Sequence, residues 1–202
     1  LDHEALIEYM DHGGKVIDIR SPEAFSGAYI PHTIAMPLDM VAGYAGWFLN
    51  HSDPLCFIVN DRHEVEKVVR RLVRMGYDRL PGYLDGGMHA WEVAGRRYDT
   101  IPSVYAGDLI NRLQRDRDVL VLDVRQKSEY DAGNLQGAEH LFLGHLTRGM
   151  ADLPQHGTII TFCGSGRRAI IAASLLKRNG FDAVENCLGS MAACAALGCE
   201  IV

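Results

Sequence analysis

The residues best suited to chemistry lie where an apolar stretch runs into a glycine-rich turn. Residues 158–162 end at Cys163, and the next five residues are Gly164, Ser165, Gly166, Arg167 and Arg168. A strand, a tight turn and a helix in this order place the cysteine sulfur at a helix N-terminus, where unpaired N–H groups and the helix dipole favour negative charge. These effects and the two arginines lower the pKa of a thiol, and the thiolate is the nucleophilic form. The segment therefore predicts an activated cysteine in an anion-binding loop, although most free cysteines are small core residues.

The composition excludes several classes of function. Of the 202 residues, 48% are hydrophobic and 23% are charged, which is typical of a globular protein. The formal net charge of −6 and the absence of a basic stripe argue against a nucleic-acid partner. The apolar runs are too short to cross a membrane and no signal peptide opens the chain, so we expect a cytoplasmic protein. A start at Leu1 is expected for a processed chain or a piece of a longer one.

The cysteine pattern gives no sign of a metal site or a disulfide framework. The chain has five cysteines, an odd number, and none of them forms a Cys-x-x-Cys pair. Such usage favours free thiols in a reducing compartment. We therefore predict no metal ligands and no cofactor.

One sequence unit occurs twice. Asp18 and Arg20 recur 105 positions later as Asp123 and Arg125, and pairs further along recur at intervals of 104 and 103. A nearly constant interval indicates two copies of one unit. We place the first domain at residues 1–99 and the second at residues 100–202.

Strands and helices alternate within each copy, and this order predicts an α/β fold. In the second copy the predicted strands are 119–124, 159–162 and 183–187, and the predicted helices are 168–179 and 191–197. The alternation indicates a mostly parallel sheet with helices on both faces. Ligands of such sheets bind beyond the carboxyl ends of the strands, where Cys163 is expected.

Five short motifs in fixed order resemble the rhodanese family. They are Asp-Val-Arg at 123–125, Glu-Tyr at 129–130, Gly-x-Leu-x-Gly at 133–137, Cys-x-x-Gly-x-Arg at 163–168 and Gly-x-Met at 189–191. The resemblance covers both halves and implies a sulfurtransferase that carries sulfur as a persulfide on Cys163. It implies a substrate-binding loop at 164–168, a structural role for Asp123 and an anion-facing position for Arg125. Two residues depart from the pattern: Asn134 stands where histidine is common, and Cys194 stands where the first copy has Trp91.

The resemblance also implies partners. The expected donor is a small anionic sulfur compound such as thiosulfate or a persulfide, and the expected acceptor is a thiol or cyanide. The segment around Trp47 is similar to the silent rhodanese module of persulfide dioxygenase–rhodanese fusions, so a fused or associated metallo-β-lactamase-type persulfide dioxygenase is a further expected partner. No His-x-His-x-Asp-His motif occurs in the sequence, so the chain itself is not predicted to carry dioxygenase chemistry.

The first copy is expected to be silent. No cysteine follows its apolar run, and Asp61 with Glu64 is interpreted as a helix cap in place of the nucleophile. From Asp61 to Gly76 is 15 residues, against 17 in the second copy, which predicts a shortened loop as well. Glu64 and its neighbours would replace the two arginines.

Two other functions stay open at this stage. A non-catalytic binding or redox-sensing module would keep the fold without turning over sulfur. A phosphatase or arsenate reductase of the same fold is less favoured, because the loop of that class places five residues between cysteine and arginine. Here four residues separate Cys163 from Arg168, which suits a single sulfur atom.

Overall fold

The chain divides into two compact units, which we call unit 1 (Leu1–Thr100) and unit 2 (Ile101–Val202). The computed structural model describes residues 1–115 and 118–202. Each unit is built on its own parallel sheet flanked by helices, as the alternation of strands and helices predicts.

Unit 1 follows the predicted alternation closely. Its helix α2 begins at Pro22, and the side chain of Ser21 caps it by accepting a hydrogen bond from the Ala24 N–H. In chain order the elements are α1 (His3–Asp11), β1 (Lys15–Asp18), α2 (Pro22–Gly27), β2 (Ile34–Ala35), α3 (Val41–Phe48), β3 (Leu55–Ile58), α4 (His63–Val73), β4 (Gly82–Tyr83) and α5 (Gly87–Val93).

Unit 2 repeats this order with additional short elements. They are β5 (Ser103–Val104), α6 (Ala106–Arg115), β6 (Val119–Asp123), α7 (Lys127–Asp131), β7 (Glu139–His140), α8 (Leu146–Gly149), β8 (Thr158–Phe162), α9 (Arg167–Arg178), β9 (Val184–Cys187) and α10 (Ser190–Leu197). Two 3₁₀ turns, Leu143–His145 and Met150–Asp152, flank α8. The predicted strands and helices of this copy are confirmed, with shifts of at most one residue at their ends.

Both sheets are parallel throughout. The strand order is β2-β1-β3-β4 in unit 1 and β5-β9-β8-β6-β7 in unit 2. In a parallel sheet all carboxyl ends lie at one edge, so the residues after β6, β8 and β9 meet there. This edge carries Cys163.

The strand register corrects the predicted alignment of the two copies. The aspartate that ends β1 lies opposite Ile58, and its counterpart at the end of β6 lies opposite Phe162. The next residue is Val59 in unit 1 and Cys163 in unit 2. The prediction that Asp61 takes the place of the cysteine is therefore wrong, since Asp61 lies two positions further along.

The predicted shortening of the first loop is wrong for the same reason. Counted from Val59, the distance to Gly76 is 17 residues, the same as from Cys163 to Gly180. Val59 is apolar and continues the buried run of β3, so the sequence pattern does not mark the end of the strand. The two loops have equal length and differ in their side chains.

The core of unit 2 fixes the base of the loop from both sides of the sheet. On one side, residues of β6, β8 and β9 pack with Leu109 of α6 and Cys194 of α10. On the other side α9 packs on β8 and β9, and eight consecutive residues of this helix are buried. In the described parts of the chain, no helix has the length and apolar character needed to cross a membrane.

Candidate active site

Cys163 lies directly after β8 and is held by three backbone contacts with the start of α10. Its N–H donates to the Ser190 Oγ over 3.1 Å, and its carbonyl accepts from the Met191 N–H over 3.0 Å. The Gly164 carbonyl accepts from the Ala192 N–H, also over 3.0 Å. Because the main chain is tied on both sides of Cα, the sulfur has a defined direction. Only 1% of Cys163 is exposed, so the thiol lies at the bottom of the loop.

The sulfur of Cys163 accepts a hydrogen bond from the loop that follows it. The Gly166 N–H donates to the Cys163 Sγ over 3.1 Å. Gly166 has a φ of +91° and precedes the 12-residue helix α9, so the positive end of the helix dipole is directed to the same place. A β-carbon at Gly166 would lie 3.4 Å from the Cys187 oxygen, and L-residues rarely adopt this φ. The Gly166 N–H and the start of α9 are therefore both directed at the sulfur.

Arg168 closes the loop through an ion pair with α7. Its Nη1 lies 2.5 Å from Glu129 Oε2 and its Nη2 lies 2.8 Å from Glu129 Oε1. A β-carbon placed on Gly164 would lie 3.1 Å from the same Nη2, so the guanidinium group spans the loop. The Arg168 hydrogen bonds hold the pKa of Glu129 below its usual range, so the carboxylate stays charged near neutral pH.

The other loop residues lie at the rim. Ser165 and Arg167 are exposed, whereas Gly164 and Arg168 are half-buried. Arg167 is therefore accessible to solvent. The structure thus places Gly166 at the sulfur and Arg168 across the loop, and it puts the two arginines in different environments.

Asp123 and Arg125 form a buried ion pair beside the loop. Both carboxylate oxygens accept from the guanidinium group at 2.7 to 3.0 Å, and Arg125 Nη2 also donates to the Gly133 carbonyl at 2.9 Å. These contacts tie the end of β6 to the turn after α7. They give Arg125 the same structural role as Asp123, which differs from the anion-facing role that the resemblance implied.

Burial distinguishes three other cysteines from Cys163, because it changes the pKa of their thiols. It raises the pKa of the Cys56 and Cys187 thiols to about 11, and that of Cys194 to about 12. Thiols of such high pKa are protonated near neutral pH and are poor nucleophiles. Of the cysteines, Cys163 has the loop geometry that the chemistry requires.

Sequence reasoning missed Ser190 and the partner of Arg168. Ser190 is fully buried and has a φ of +42°, a conformation that is uncommon for residues other than glycine. Its Oγ donates to the Cys187 carbonyl over 2.7 Å while accepting from Cys163. The Gly-x-Met motif contains this residue and the Glu-Tyr motif contains Glu129, but neither pattern shows which groups they contact.

The equivalent loop of unit 1 is occupied by its own carboxylates. Glu64 Oε2 accepts from the N–H groups of Asn60 at 3.2 Å and Asp61 at 3.4 Å, and Asp61 Oδ1 accepts from the His63 N–H at 2.8 Å. The predicted contacts of Asp61 and Glu64 are thus present, but the residue that caps α4 is Arg62 rather than Asp61, because the helix begins at His63. Glu64 stands where unit 2 has Arg168, and Val59 stands where it has the nucleophile. Within residues 1–115 and 118–202, no group of three or more His, Cys, Asp and Glu residues is arranged to hold a metal.

Three known proteins show what the chain is similar to. YrkF of Bacillus subtilis, which carries the name of a sulfur carrier protein, is 31% identical over 106 residues, 52% of this chain and 55% of that protein. A sulfurtransferase of Allochromatium vinosum is 31% identical over 94 residues, 46% of this chain and 88% of its own. The crystal structure of thiosulfate sulfurtransferase from Pseudomonas aeruginosa matches at 18% identity with a TM-score of 0.47, covering 100% of this chain and 43% of that chain. The chain thus spans about half the length of the first of these relatives.

The pattern of the rhodanese-like domain matches the sequence twice. The matched residues are 2–94 and 106–196, so each unit carries one copy and together they cover most of the chain. The twofold match agrees with the repeat at an interval of about 105 residues and with the two parallel sheets. The chain therefore belongs to the rhodanese-like domain family, as a tandem of two such domains.

Proposed function

We propose that the chain is a sulfurtransferase in which unit 2 moves sulfane sulfur through a persulfide on Cys163. The observation that carries the proposal is the hydrogen bond from the Gly166 N–H to the Cys163 sulfur at the start of α9. A backbone donor at a helix N-terminus stabilises a thiolate and a terminal persulfide sulfur alike.

The first half-reaction loads the cysteine. The Cys163 thiolate attacks the outer sulfur of thiosulfate, the bond between the two sulfur atoms of thiosulfate breaks, and sulfite leaves with the electron pair. With a persulfide donor, the leaving group is the corresponding thiolate. Cys163 then carries a second sulfur with a negative charge, and the loop donors stabilise it as an oxyanion hole stabilises an oxyanion.

The second half-reaction unloads the cysteine. A thiolate or cyanide attacks the outer sulfur, and the Cys163 thiolate leaves. No redox cofactor takes part, because the acceptor takes the sulfur that the donor gave up. The two steps occur on one nucleophile in turn, so we expect ping-pong kinetics.

The two arginines of the loop have different proposed roles. Arg168 is held by Glu129 and shapes the loop around the sulfur, so it serves every donor. Arg167 is exposed at the rim and attracts anionic donors. Unit 1 lacks the nucleophile and is proposed to be silent.

Intact mass spectrometry tests the proposal. The chain is incubated with thiosulfate or with glutathione persulfide, desalted and weighed, and we expect the gain of one sulfur atom with each donor. Cys163→Ser should gain none, while the matched variant Cys199→Ser should gain one. No gain on the unmodified chain would favour a binding module, and hydrolysis of an aryl phosphate instead would favour a phosphatase.

A further inference from the structure

The C-terminal end of α10 holds a second pair of sulfur atoms that the transfer reaction does not use. We propose that Cys194 and Cys199 are a redox-active dithiol that closes to an intramolecular disulfide. Cys194 lies on the helix whose first residues bind the backbone of Cys163 and Gly164, and Cys199 follows the end of that helix.

The turn that ends α10 brings the two cysteines together. Gly198 has a φ of +70°, its N–H donates to the Ala195 carbonyl, and the Cys199 N–H donates to the Cys194 carbonyl over 3.0 Å. These two bonds and a left-handed glycine define the Schellman motif. In that motif the side chains at the positions of Cys194 and Cys199 commonly contact each other. Here Cys199 packs against the core cluster that contains Cys194, and the two thiols share a side-chain hydrogen bond.

Unit 1 ends its corresponding helix in the same turn with different side chains. Its helix α5 ends in the same turn, with Gly95 at a φ of +66° and the Arg96 N–H donating to the Trp91 carbonyl over 3.2 Å. The Trp91 ring is buried there, and its Nε1 donates to the Arg97 carbonyl. In unit 2 a thiol stands at both of these positions. Compared with unit 1, unit 2 therefore has two thiols, which can form a disulfide, in place of the packed indole and the arginine.

The environments of the two thiols give them different roles. Cys199 is half-buried and packs against the core that contains Cys194, while Cys194 is fully buried. Burial and the hydrogen bond with Cys199 raise the pKa of Cys194 to about 12. Cys199 is therefore the thiol that meets an oxidant, and Cys194 is the resolving thiol.

The oxidant is a low-molecular-weight disulfide, and the exchange balances without another reagent. The Cys199 thiolate attacks one sulfur of the disulfide and releases a small thiolate, which takes up the proton that Cys199 lost. Cys194 then attacks the Cys199 sulfur, breaks the mixed disulfide and releases the second small thiolate with the proton of Cys194. Two protein thiols are oxidised, and one small disulfide is reduced to two thiols.

Formation of the Cys194–Cys199 disulfide would restrain the last residues of the chain. After Cys199, the chain pairs with the turn that follows α7: Asn134 and Val202 exchange two backbone hydrogen bonds of 2.9 Å, and Gln136 donates to the Glu200 carbonyl. This strap links α10 to the turn whose Gly133 carbonyl binds Arg125. The disulfide therefore forms between the helix that holds the Cys163 backbone and the strap that leads to the supporting ion pair.

Oxidation of the full chain by glutathione disulfide tests the proposal. After oxidation, the remaining thiols are alkylated under denaturing conditions and the linkage is mapped by peptide mass spectrometry. The structure has five free cysteines, and we expect one Cys194–Cys199 linkage, with Cys56 and Cys187 alkylated and with Cys163 either alkylated or bound to one glutathione. Closure should also accelerate as the pH rises, because the resolving thiol reacts as its thiolate.

Matched variants decide the pairing. Cys199→Ser and Cys194→Ala should each abolish the linkage, whereas Cys56→Ala and Cys163→Ser should form it as the unmodified chain does. A disulfide that maps to Cys187 or Cys163 would overturn the proposal, and so would full alkylation of all five cysteines after oxidation. Mapping on the unmodified chain decides the question even if a variant fails to fold.

Discussion

The loops after β3 and β8 share a backbone frame and differ in almost every side chain that bears on chemistry. Each follows a central strand, each is 17 residues from the glycine that ends the next helix, and each lies beside a buried Asp–Arg pair, Asp18–Arg20 or Asp123–Arg125. In the loop after β8, a backbone N–H donates to the Cys163 sulfur. In the loop after β3, backbone N–H groups donate to the Glu64 carboxylate instead. The frame is therefore a property of the fold, and the activity is a property of a few substitutions within it.

A second difference concerns the equivalent positions Ser190 in α10 and Gly87 in α5. Unit 2 has Ser190 at a φ of +42°, and unit 1 has Gly87 at a φ of +56°. Glycine adopts this conformation without strain, whereas serine does so at a cost of about 1–3 kcal/mol. The hydroxyl that binds the Cys163 N–H and the Cys187 carbonyl offsets that cost. At this position strain is thus present in unit 2 and absent from unit 1, whose own residue other than glycine at positive φ is His32, at +69°.

The largest effect is expected for Cys163→Ser. Sulfur transfer from thiosulfate should fall by about 10³-fold or more, because serine cannot carry a persulfide and unit 1 offers no substitute. A thiosulfate:cyanide assay measures the change, with Cys199→Ser as the matched variant that keeps its rate. Retention of more than a tenth of the activity would show that unit 1 or another cysteine transfers sulfur.

Arg168→Ala is expected to have the next largest effect, a decrease of about 10²-fold in the rate of persulfide formation. The substitution removes both the charge beside the sulfur and the anchor to Glu129. The loss should be equal for thiosulfate and for an uncharged organic trisulfide donor. Arg167→Ala is the comparison, and it should slow the reaction with the anionic donor alone. Equal losses for both donors in Arg167→Ala would remove its proposed steering role.

The ion pair of Glu129 also gives a pH dependence of stability. The pKa of Glu129 is lowered in the folded state, so its contribution is complete above the unfolded pKa of about 4.5 and is lost as the pH falls through the lower folded value. The difference in free energy of unfolding between the unmodified chain and Glu129→Gln should therefore be largest near neutral pH and shrink below pH 4.5. Urea denaturation at a series of pH values measures it, and Lys127→Gln serves as an exposed control. A difference that stays constant as the pH falls would contradict the prediction.

Features that depend on the local sequence pattern could be predicted, whereas features that depend on tertiary contacts could not. The repeat, the α/β alternation and the loop after Cys163 follow from spacing, apolar runs and glycines, and the structure contains them. The alignment of Val59 with Cys163 does not follow, because an apolar residue gives no sign of where a buried strand stops. The pairing of Glu129 with Arg168 and the position of Ser190 depend on segments that are distant in the sequence, so no local pattern contains them.

Ser190→Gly gives unit 2 the residue that unit 1 has at the equivalent position, Gly87. We expect persulfide formation to slow about tenfold, because the buried Cys163 N–H loses its acceptor and the sulfur is less well directed. Stability should change little, since the relief of strain at this φ offsets the loss of the two hydrogen bonds of the hydroxyl. Stopped-flow persulfide formation and urea denaturation measure the two effects separately. A loss of stability in parallel with the loss of rate would show that Ser190 acts through folding alone.

The smallest expected effect is that of restoring the nucleophile to unit 1. In a Cys163→Ser background, Val59→Cys should give no measurable sulfur transfer, although the register places the new sulfur at the equivalent strand end. The reason is electrostatic. Glu64 already accepts from the N–H groups of Asn60 and Asp61, and nearby carboxylates raise the pKa of a thiol.

A second substitution separates this cause from a deficient frame. Adding Glu64→Arg to Val59→Cys removes the competing carboxylate and supplies the charge that Arg168 supplies in unit 2. Because the two loops are equal in length, persulfide should then become detectable by intact mass, at a rate well below that of unit 2, since Arg62 stands where unit 2 has Gly166. Transfer by Val59→Cys alone would show that the cysteine was the one missing part. No persulfide in the double substitution would place the deficiency in the turn itself, where Gly166 at a φ of +91° directs its N–H to the sulfur.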